Sequence, residues 1–282
     1  LYEAGGEGNK GLINNKAAFK IYVDFTGKSS TLRDGTYILS RNMDIAQMVD
    51  IICTGNPARK TVNVKIREGM EVEDIAELLV EEGILDSTEE FLSLCRSGEA
   101  FSEYSFVNSI LQSADKDQRK YALEGYLFPD TYEVYADASA KSVITKMLIR
   151  FNEIFSDEYM DRAQELNMTV DQAVTMASMI EREAKTADFD KVSAVFHNRL
   201  NSGMKLQSDA PLKYILDAGN TLDYTSDQMA VNSPYNTYNI DGLPIGPICN
   251  PSAAAIKAAL YPDSDFMGEG YLYFVLKSRT QD

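Results

Sequence analysis

The residue best suited to acid–base work is Glu181. Over residues 169–185, TVDQAVTMASMIEREAK, the periodicity predicts a helix on which Val174, Ala177 and Glu181 recur at i, i+3 and i+7 and share one face. That face is the apolar one, with Val170, Ala173 and Ile180 beside it, while Arg182, Glu183 and Lys185 point elsewhere. A carboxylate on the buried side of a helix is costly unless it is paired or protonated. Desolvation favours the protonated form, which a general acid needs at neutral pH. The competing expectation is a structural ion pair, with Arg199 on the following helix as the partner.

Glu124 is the second carboxylate of interest. It sits in LEGYLFPDTYEV among Tyr126, Phe128 and Tyr132. Carbohydrate sites combine ring faces for sugar C–H groups with fixed acceptors for hydroxyls. The same residues could equally form a turn set by Pro129 and Asp130, with the aromatics in the core. A third candidate is the run SPYNTYNIDGLPIGPI, too polar for a core strand and too rich in Gly and Pro for a free linker. Its Tyr235, Asn236, Thr237 and Tyr238 offer planar faces and amide or hydroxyl partners, and long ordered loops are often functional. Gln207 and Asp209 follow Gly203 and could line the same cleft or cap the helix beginning near Pro211. His197 has no partner His or Cys nearby in sequence and reads as a surface or satisfied histidine. Cys53, Cys95 and Cys249 read as small buried hydrophobes.

Positioning these groups requires the following elements. FKIYVDF from Phe19 fits a strand or the end of a helix, and the turn and Thr-Tyr-Ile-Leu of 32–40 predict a strand. Residues 43–55 predict a helix closed by Gly55, 61–66 a strand, and 71–83 a helix. Another helix is expected to start at 87 with a capping box of Ser87 and Glu90. Residues 68–90 hold ten acids and no base, which reads as a solvated helix face rather than a site for a basic partner. Further on, helices are expected over 139–155, 169–185 (with a Thr169/Gln172 box), 190–203, 211–216 and 252–260. Asn250 is the expected N-cap of the last, with Pro251 in its first turn. A closing strand is expected over 271–276.

Composition narrows the chemistry. The chain has 282 residues, 44% hydrophobic and 25% charged, as expected of a globular protein with a sizeable core. A net charge of −16 disfavours nucleic acid, which rewards a clustered basic surface. One His and three dispersed Cys make a zinc site, a His-based triad or a disulfide scaffold poor expectations, so neither metal nor cofactor is expected. No apolar run is long enough to span a membrane. The opening LYEAGGEGNKG lacks a Met and a signal-peptide pattern and reads as a processed or trimmed start.

Four segments in this order, LEGYLFPDTYEV, ASMIEREA, VFHNRLNSGMKLQSDAPLKYIL and SPYNTYNIDGLPIGPICNPSAAAIKAAL with YLYFV, resemble the MltG (YceG-like) endolytic murein transglycosylases over roughly residues 120–276. Residues 61–112 resemble, less closely, the family's LysM-like subdomain, and 19–60 its small membrane-proximal part. The resemblance implies an α+β protein: a flexible lead at 1–18, a membrane-proximal subdomain at 19–60, a LysM-like subdomain at 61–115, and a mainly helical catalytic domain with small β elements at 120–282. It implies cleavage within peptidoglycan glycan strands, at the β-1,4 bond between MurNAc and GlcNAc, leaving 1,6-anhydro-MurNAc ends. The family's catalytic Glu falls on Glu181. Gln207, Asp209, Ser233, Tyr235, Asn236 and Tyr238 match family motif positions and are expected to line the sugar cleft. Glu124 is expected there too, as an electrostatic partner for the developing oxocarbenium charge. The family is anchored by a single N-terminal helix, absent here, with its catalytic part outside the cytoplasmic membrane. Penicillin-binding proteins and the elongation and division machinery are the implied neighbours. The chain ends at SRTQD, short of a Gly/His/Phe-containing stretch that the family normally carries.

Three other readings are distinguishable. A glycan-binding module that does not cut would be indifferent to Glu181. A muramidase that adds water would need a second placed carboxylate, with Glu124 or Asp209 as candidates. A scaffold of the cell-wall synthesis machinery would tolerate Glu181→Gln.

Overall fold

The computed structural model describes residues 16–33, 37, 39, 43–54, 60–216 and 224–275. Its contacts divide into two compact units, Leu1–Val62 and Asn63–Asp282.

In the first unit, α1 (Lys16–Phe25) packs on α2 (Ile45–Thr54). Phe19 and Val23, one helical turn apart, bury against Met48 and Val49. This settles FKIYVDF as helix: its apolar residues also satisfy a spacing of four, and that face has a partner. Arg33 donates its backbone N–H to Ile52 O, which ties the following turn to α2. Most of the strand expected over 32–40 lies outside the described residues.

The second unit is α+β and mainly helical. Its strands β1 (Thr61–Lys65) and β2 (Thr131–Tyr135) form a two-stranded sheet. Between them lie α3 (Val72–Glu81), α4 (Glu89–Ser97) and α5 (Ser105–Leu111). After β2 come α6 (Ala140–Ile154), α7 (Asp157–Glu165), α8 (Val170–Glu183), α9 (Phe189–Asn201), α10 (Ala210–Leu216), α11 (Ser226–Met229), α12 (Ala253–Leu260) and α13 (Ser264–Glu269). The strand that pairs with β1 therefore comes from beyond residue 115. A lone strand leaves its backbone groups unpaired, and β2 supplies the partner that β1 lacks within 61–115.

Helix α8 is the axis of this body. Every residue from Ala173 to Ile180 is buried, and α12, α9, α10, α7 and α5 pack around it. The expected capping box starts it: Thr169 Oγ1 accepts from Gln172 N at 3.1 Å, and Gln172 Oε1 accepts from Thr169 N at 2.9 Å. Beside it Phe106, Tyr126 and Phe151 form a ring cluster with centroids 4.8–5.2 Å apart. Gly125 makes the tightest approach. It has φ +88°, and a Cβ there would come within 2.5 Å of Pro247 and 2.9 Å of Val174.

Several expectations are corrected. Thr88 is the N-cap of α4 and no side chain caps it, so the Ser87/Glu90 box does not form. Ser252, not Asn250, caps α12, its Oγ accepting from Ala255 N at 3.1 Å. Residues 271–275 form no strand. Phe274 packs against Phe196, and the carbonyls of Tyr271 and Leu272 are held by Asn198 and Arg199. Helix α7 escaped the periodicity because only Ala163 of its nine residues is buried.

Candidate active site

Glu181 lies in the last turn of α8, where the helix leaves the core. Ile180 is fully buried and Glu181 is half-exposed. The expectation of a sealed carboxylate is thereby corrected: the apolar stripe of α8 ends one residue before it. Arg199 does not pair with it either, since that guanidinium donates to the backbone carbonyls of Leu206 and Leu272. Instead the N-terminus of α12 holds Glu181. Its Oε2 accepts from Ser252 N at 2.9 Å and from Ser252 Oγ at 2.6 Å. One carboxyl oxygen is thus fixed, and the other, Oε1, is left without a hydrogen bond among the described residues.

The wall beside Glu181 comes from the turn before α3. A Cβ on Gly69 would sit 3.7 Å from Glu181 Cγ. Arg182 fastens this turn to α8, donating to Gly69 O at 3.1 Å and to Glu71 Oε1 at 3.2 Å. Burial pushes the Glu71 carboxyl up to about 7, against the opposing pull of Arg182. The turn also pairs by backbone with the segment leading to Ser252: Gly69 N donates to Asn250 O and Asn250 N to Met70 O, each at 2.9 Å.

The other side is built by residues 207–209 and the long loop. Gln207 is exposed, holds φ +49°, and donates its N–H to Thr237 O at 3.1 Å. Ser208 Oγ donates to Glu183 at the end of α8, and its backbone N–H donates to Thr237 Oγ1 at 3.0 Å. Tyr238 OH donates to Asp209 Oδ1 at 2.7 Å, and burial together with that carboxylate raises the phenol above its ordinary range. Ser233 is half-buried, its Oγ accepting from Tyr235 N at 3.2 Å. Gln207, Asp209, Ser233 and Tyr238 thus keep some exposed surface along elements tied to the end of α8.

Three expected cleft residues are turned inward instead. Asn236 is fully buried and donates its amide to Met229 O and Val231 O, which closes the loop on itself. Tyr235 is buried against the Tyr214 ring, centroids 5.3 Å apart, with its OH accepting from Lys120 N. Glu124 is 1% exposed. Its Oε2 accepts from Val72 N at 3.2 Å and Tyr214 OH at 3.1 Å, and its Oε1 accepts from Asn250 Nδ2 at 3.0 Å. Burial drives its carboxyl up to about 8, opposed by the Val72 N–H and reinforced by nearby Glu71. The aromatic loop around Glu124 is core, and Glu124, Tyr235 and Asn236 are all buried in this structure.

Sequence reasoning missed Ser252, Gly69, Glu71, Arg182 and Tyr214 as parts of the site. Ser252 carried a signal, the preference of Ser for N-caps, but its contact with a residue 71 positions upstream did not. His197 is buried and satisfied, its Nε2 2.8 Å from Ala259 O. Among the described residues no His, Cys, Asp and Glu gather as a metal site.

A mainly helical α+β body with a fixed, half-exposed carboxylate, Glu181, at the end of its central helix is the class defined so far. Comparison with known proteins gives the family. The profile of the YceG-like family matches residues 8–282, and the chain belongs to that family. It is 31% identical over 275 residues to the endolytic murein transglycosylase of Bacillus subtilis, covering 96% of this chain and 74% of that protein. It is 30% identical over 274 residues to the endolytic murein transglycosylase of Streptococcus pneumoniae, covering 89% of this chain and 48% of that one. A crystal structure of a YceG-like protein from Listeria monocytogenes superimposes with a TM-score of 0.65 at 32% identity, over 94% of this chain and 86% of that one.

Proposed function

We propose that this chain is an endolytic peptidoglycan lytic transglycosylase. It cuts the MurNAc-β-1,4-GlcNAc bond inside glycan strands and leaves 1,6-anhydro-MurNAc ends, with Glu181 as the single acid and base. The observation that carries this reading is the asymmetric hold on Glu181. Ser252 fixes Oε2 as an acceptor in either protonation state, and Oε1 is left for the proton. Glu181 first donates that proton to the leaving glycosidic oxygen. Glu181 Oε1, now unprotonated, then takes the proton of the MurNAc C6 hydroxyl as that hydroxyl oxygen bonds C1, which restores the acid. Attack within one sugar gains from proximity and uses no water. A second carboxylate is then not required, unlike in hydrolases. The burial of Glu124 fits this, because its three accepted hydrogen bonds leave it unable to activate water in a cleft.

Gln207, Asp209, Ser233 and Tyr238 line the glycan path in this reading. Tyr235, Asn236 and Glu124 shape it from within. In this reading the protein works at the cytoplasmic membrane, with its catalytic unit on the outer side. Penicillin-binding proteins of elongation and division are its neighbours. Among the described residues no helix is long and apolar enough to cross a membrane.

The test is to incubate the protein and its Glu181→Gln variant with uncrosslinked peptidoglycan strands and read new chain ends by mass spectrometry. Anhydro ends from wild type alone support the reading. Reducing, water-added ends indicate a muramidase, with Asp209 as the remaining second carboxylate. Glycan binding without new ends from either protein indicates a non-cutting module.

A further inference from the structure

Glu124 is the most enclosed carboxyl among the described residues, yet it touches three segments, two of which lead to Glu181. Its Oε2 receives Val72 N from the first turn of α3 and Tyr214 OH from α10, and its Oε1 receives Asn250 Nδ2. Asn250 is fully buried and its amide can adopt only one orientation. Its Oδ1 accepts from Leu127 N at 2.8 Å, so its Nδ2 must face Glu124 and Met70 O. The main chain of Asn250 is itself zipped to the Gly69–Met70 turn that walls Glu181. Two residues further on, Ser252 makes both hydrogen bonds to Glu181.

We propose that Glu124 is a positioning residue for Glu181: it locks the Gly69–Met70 turn to the Asn250–Ser252 segment, and that lock sets where Ser252 holds the carboxylate. This rests on the reading of Glu181 as the acid and base. It differs from the role expected of Glu124 beside a sugar, because Glu124 acts through backbone and side-chain contacts and touches no substrate.

The network requires a carboxyl group specifically. A carboxylate accepts all three donors. A protonated carboxyl also fits, with Oε1 accepting from Asn250 and the Oε2 hydroxyl accepting from Val72 N while donating to Tyr214. A glutamine does not fit: its NH2 must oppose either the fixed Asn250 Nδ2 or the Val72 N–H, and a buried donor is left unpaired. Glu124→Gln, usually the mildest change, should therefore loosen the lock.

The experiment compares wild type, Glu124→Gln, Ser252→Ala and the double variant in the glycan-cleavage assay, with amide hydrogen exchange measured on each single variant. Glu124→Gln should lower kcat by on the order of 10- to 100-fold with KM little changed, as expected when a catalytic group is displaced by about an ångström. The loss should be smaller in the Ser252→Ala background, because both changes act through one contact. Amide exchange at Gly69, Asn250 and Ser252 should speed up in Glu124→Gln while α6 and α9 stay protected. Unchanged kcat, losses that simply multiply, or exchange that rises uniformly over the domain would overturn the proposal. If Glu124→Gln does not fold, Tyr214→Phe removes one donor without introducing a clash and should show the same changes at a few-fold level. Absence of anhydro ends from wild type would sink the function proposed above, whereas the exchange pattern still decides the lock.

Discussion

Glu181 and Glu124 are glutamates of two adjacent walls, joined through Asn250–Ser252, and their surroundings are opposite. Glu181 stands where α8 emerges from the core. It is held by one serine and keeps one oxygen free. Glu124 is sealed, with three donors on its two oxygens and its acidity pushed toward neutrality by burial. A reacting carboxyl needs a proton that can leave and a substrate that can arrive. A supporting carboxyl needs neither and gains from being enclosed. Under the function proposed above, Glu124 is the supporting carboxyl, because the burial that raises its proton affinity also closes it to substrate.

The change expected to break this contrast most severely is Glu181→Gln. The glutamine oxygen can keep both hydrogen bonds from Ser252, so thermal stability should stay within a degree or so of wild type, as for a surface substitution. Cleavage should fall by about 10²–10⁴-fold, the usual contribution of a general acid and base. A Glu181→Gln protein that cuts normally would move the chemistry elsewhere. Next in size is the seat of the buried partner. Gly125→Ala puts a methyl within 2.5 Å of Pro247 at a left-handed φ, and should cost about 3 kcal/mol, read as a lowered denaturation midpoint.

Glu181 was legible in the sequence from both its motif and its helical spacing, but its environment was not. Spacing shows which residues share a face; it does not show where along the axis the core ends. Residues 174 and 177 are buried and 181 is not, because the enclosed part of α8 ends at Ile180. For Glu124 the aromatic loop fitted a sugar platform or a core equally, and only the arrival of α3, α10 and Asn250 decides for the core. Asn250 shows the same limit. Its position before Pro251 suited an N-cap, but the side chain is drawn inward by Glu124, Met70 and Leu127, and Ser252 caps α12 instead. Local signals found α3, α6, α8, α9 and α12 within a few residues. Contacts between segments more than 70 positions apart left no trace in any window of sequence.

The burial of Glu124 and of its neighbour Glu71 should also show in the pH dependence of stability. Glu124 and Glu71 bind protons more tightly in the folded state, near 8 and 7, than at their ordinary value of 4.5. Stability is then greatest where both are protonated in folded and unfolded chains alike. It falls as pH rises from about 5, levelling for Glu71 near 7 and for Glu124 near 8, with a slope of at most about 1.4 kcal/mol per pH unit for each group. Denaturant unfolding at intervals from pH 5 to 8.5 measures this. In Glu124→Gln the slope above pH 7 should flatten, although the protein is less stable at every pH. An unchanged slope would assign the proton uptake to another group.

The smallest expected effect sharpens the comparison most, because it separates holding Glu181 from holding α12. Ser252 Oγ does both: it donates to Glu181 and accepts from Ala255 N as the helix cap. Ser252→Ala removes both contacts but leaves the Ser252 backbone N–H on Glu181, so cleavage should drop about tenfold, as for loss of one charge-assisted hydrogen bond. Stability should drop by about 1 kcal/mol, the usual cost of losing a cap. Ser252→Gly also removes the hydroxyl, but glycine is a tolerable cap, worth only a few tenths of a kcal/mol less than serine. The two variants should therefore lose the same activity while differing in stability. Activity that follows stability instead would mean that Ser252 serves the helix and that Glu181 is oriented by other contacts.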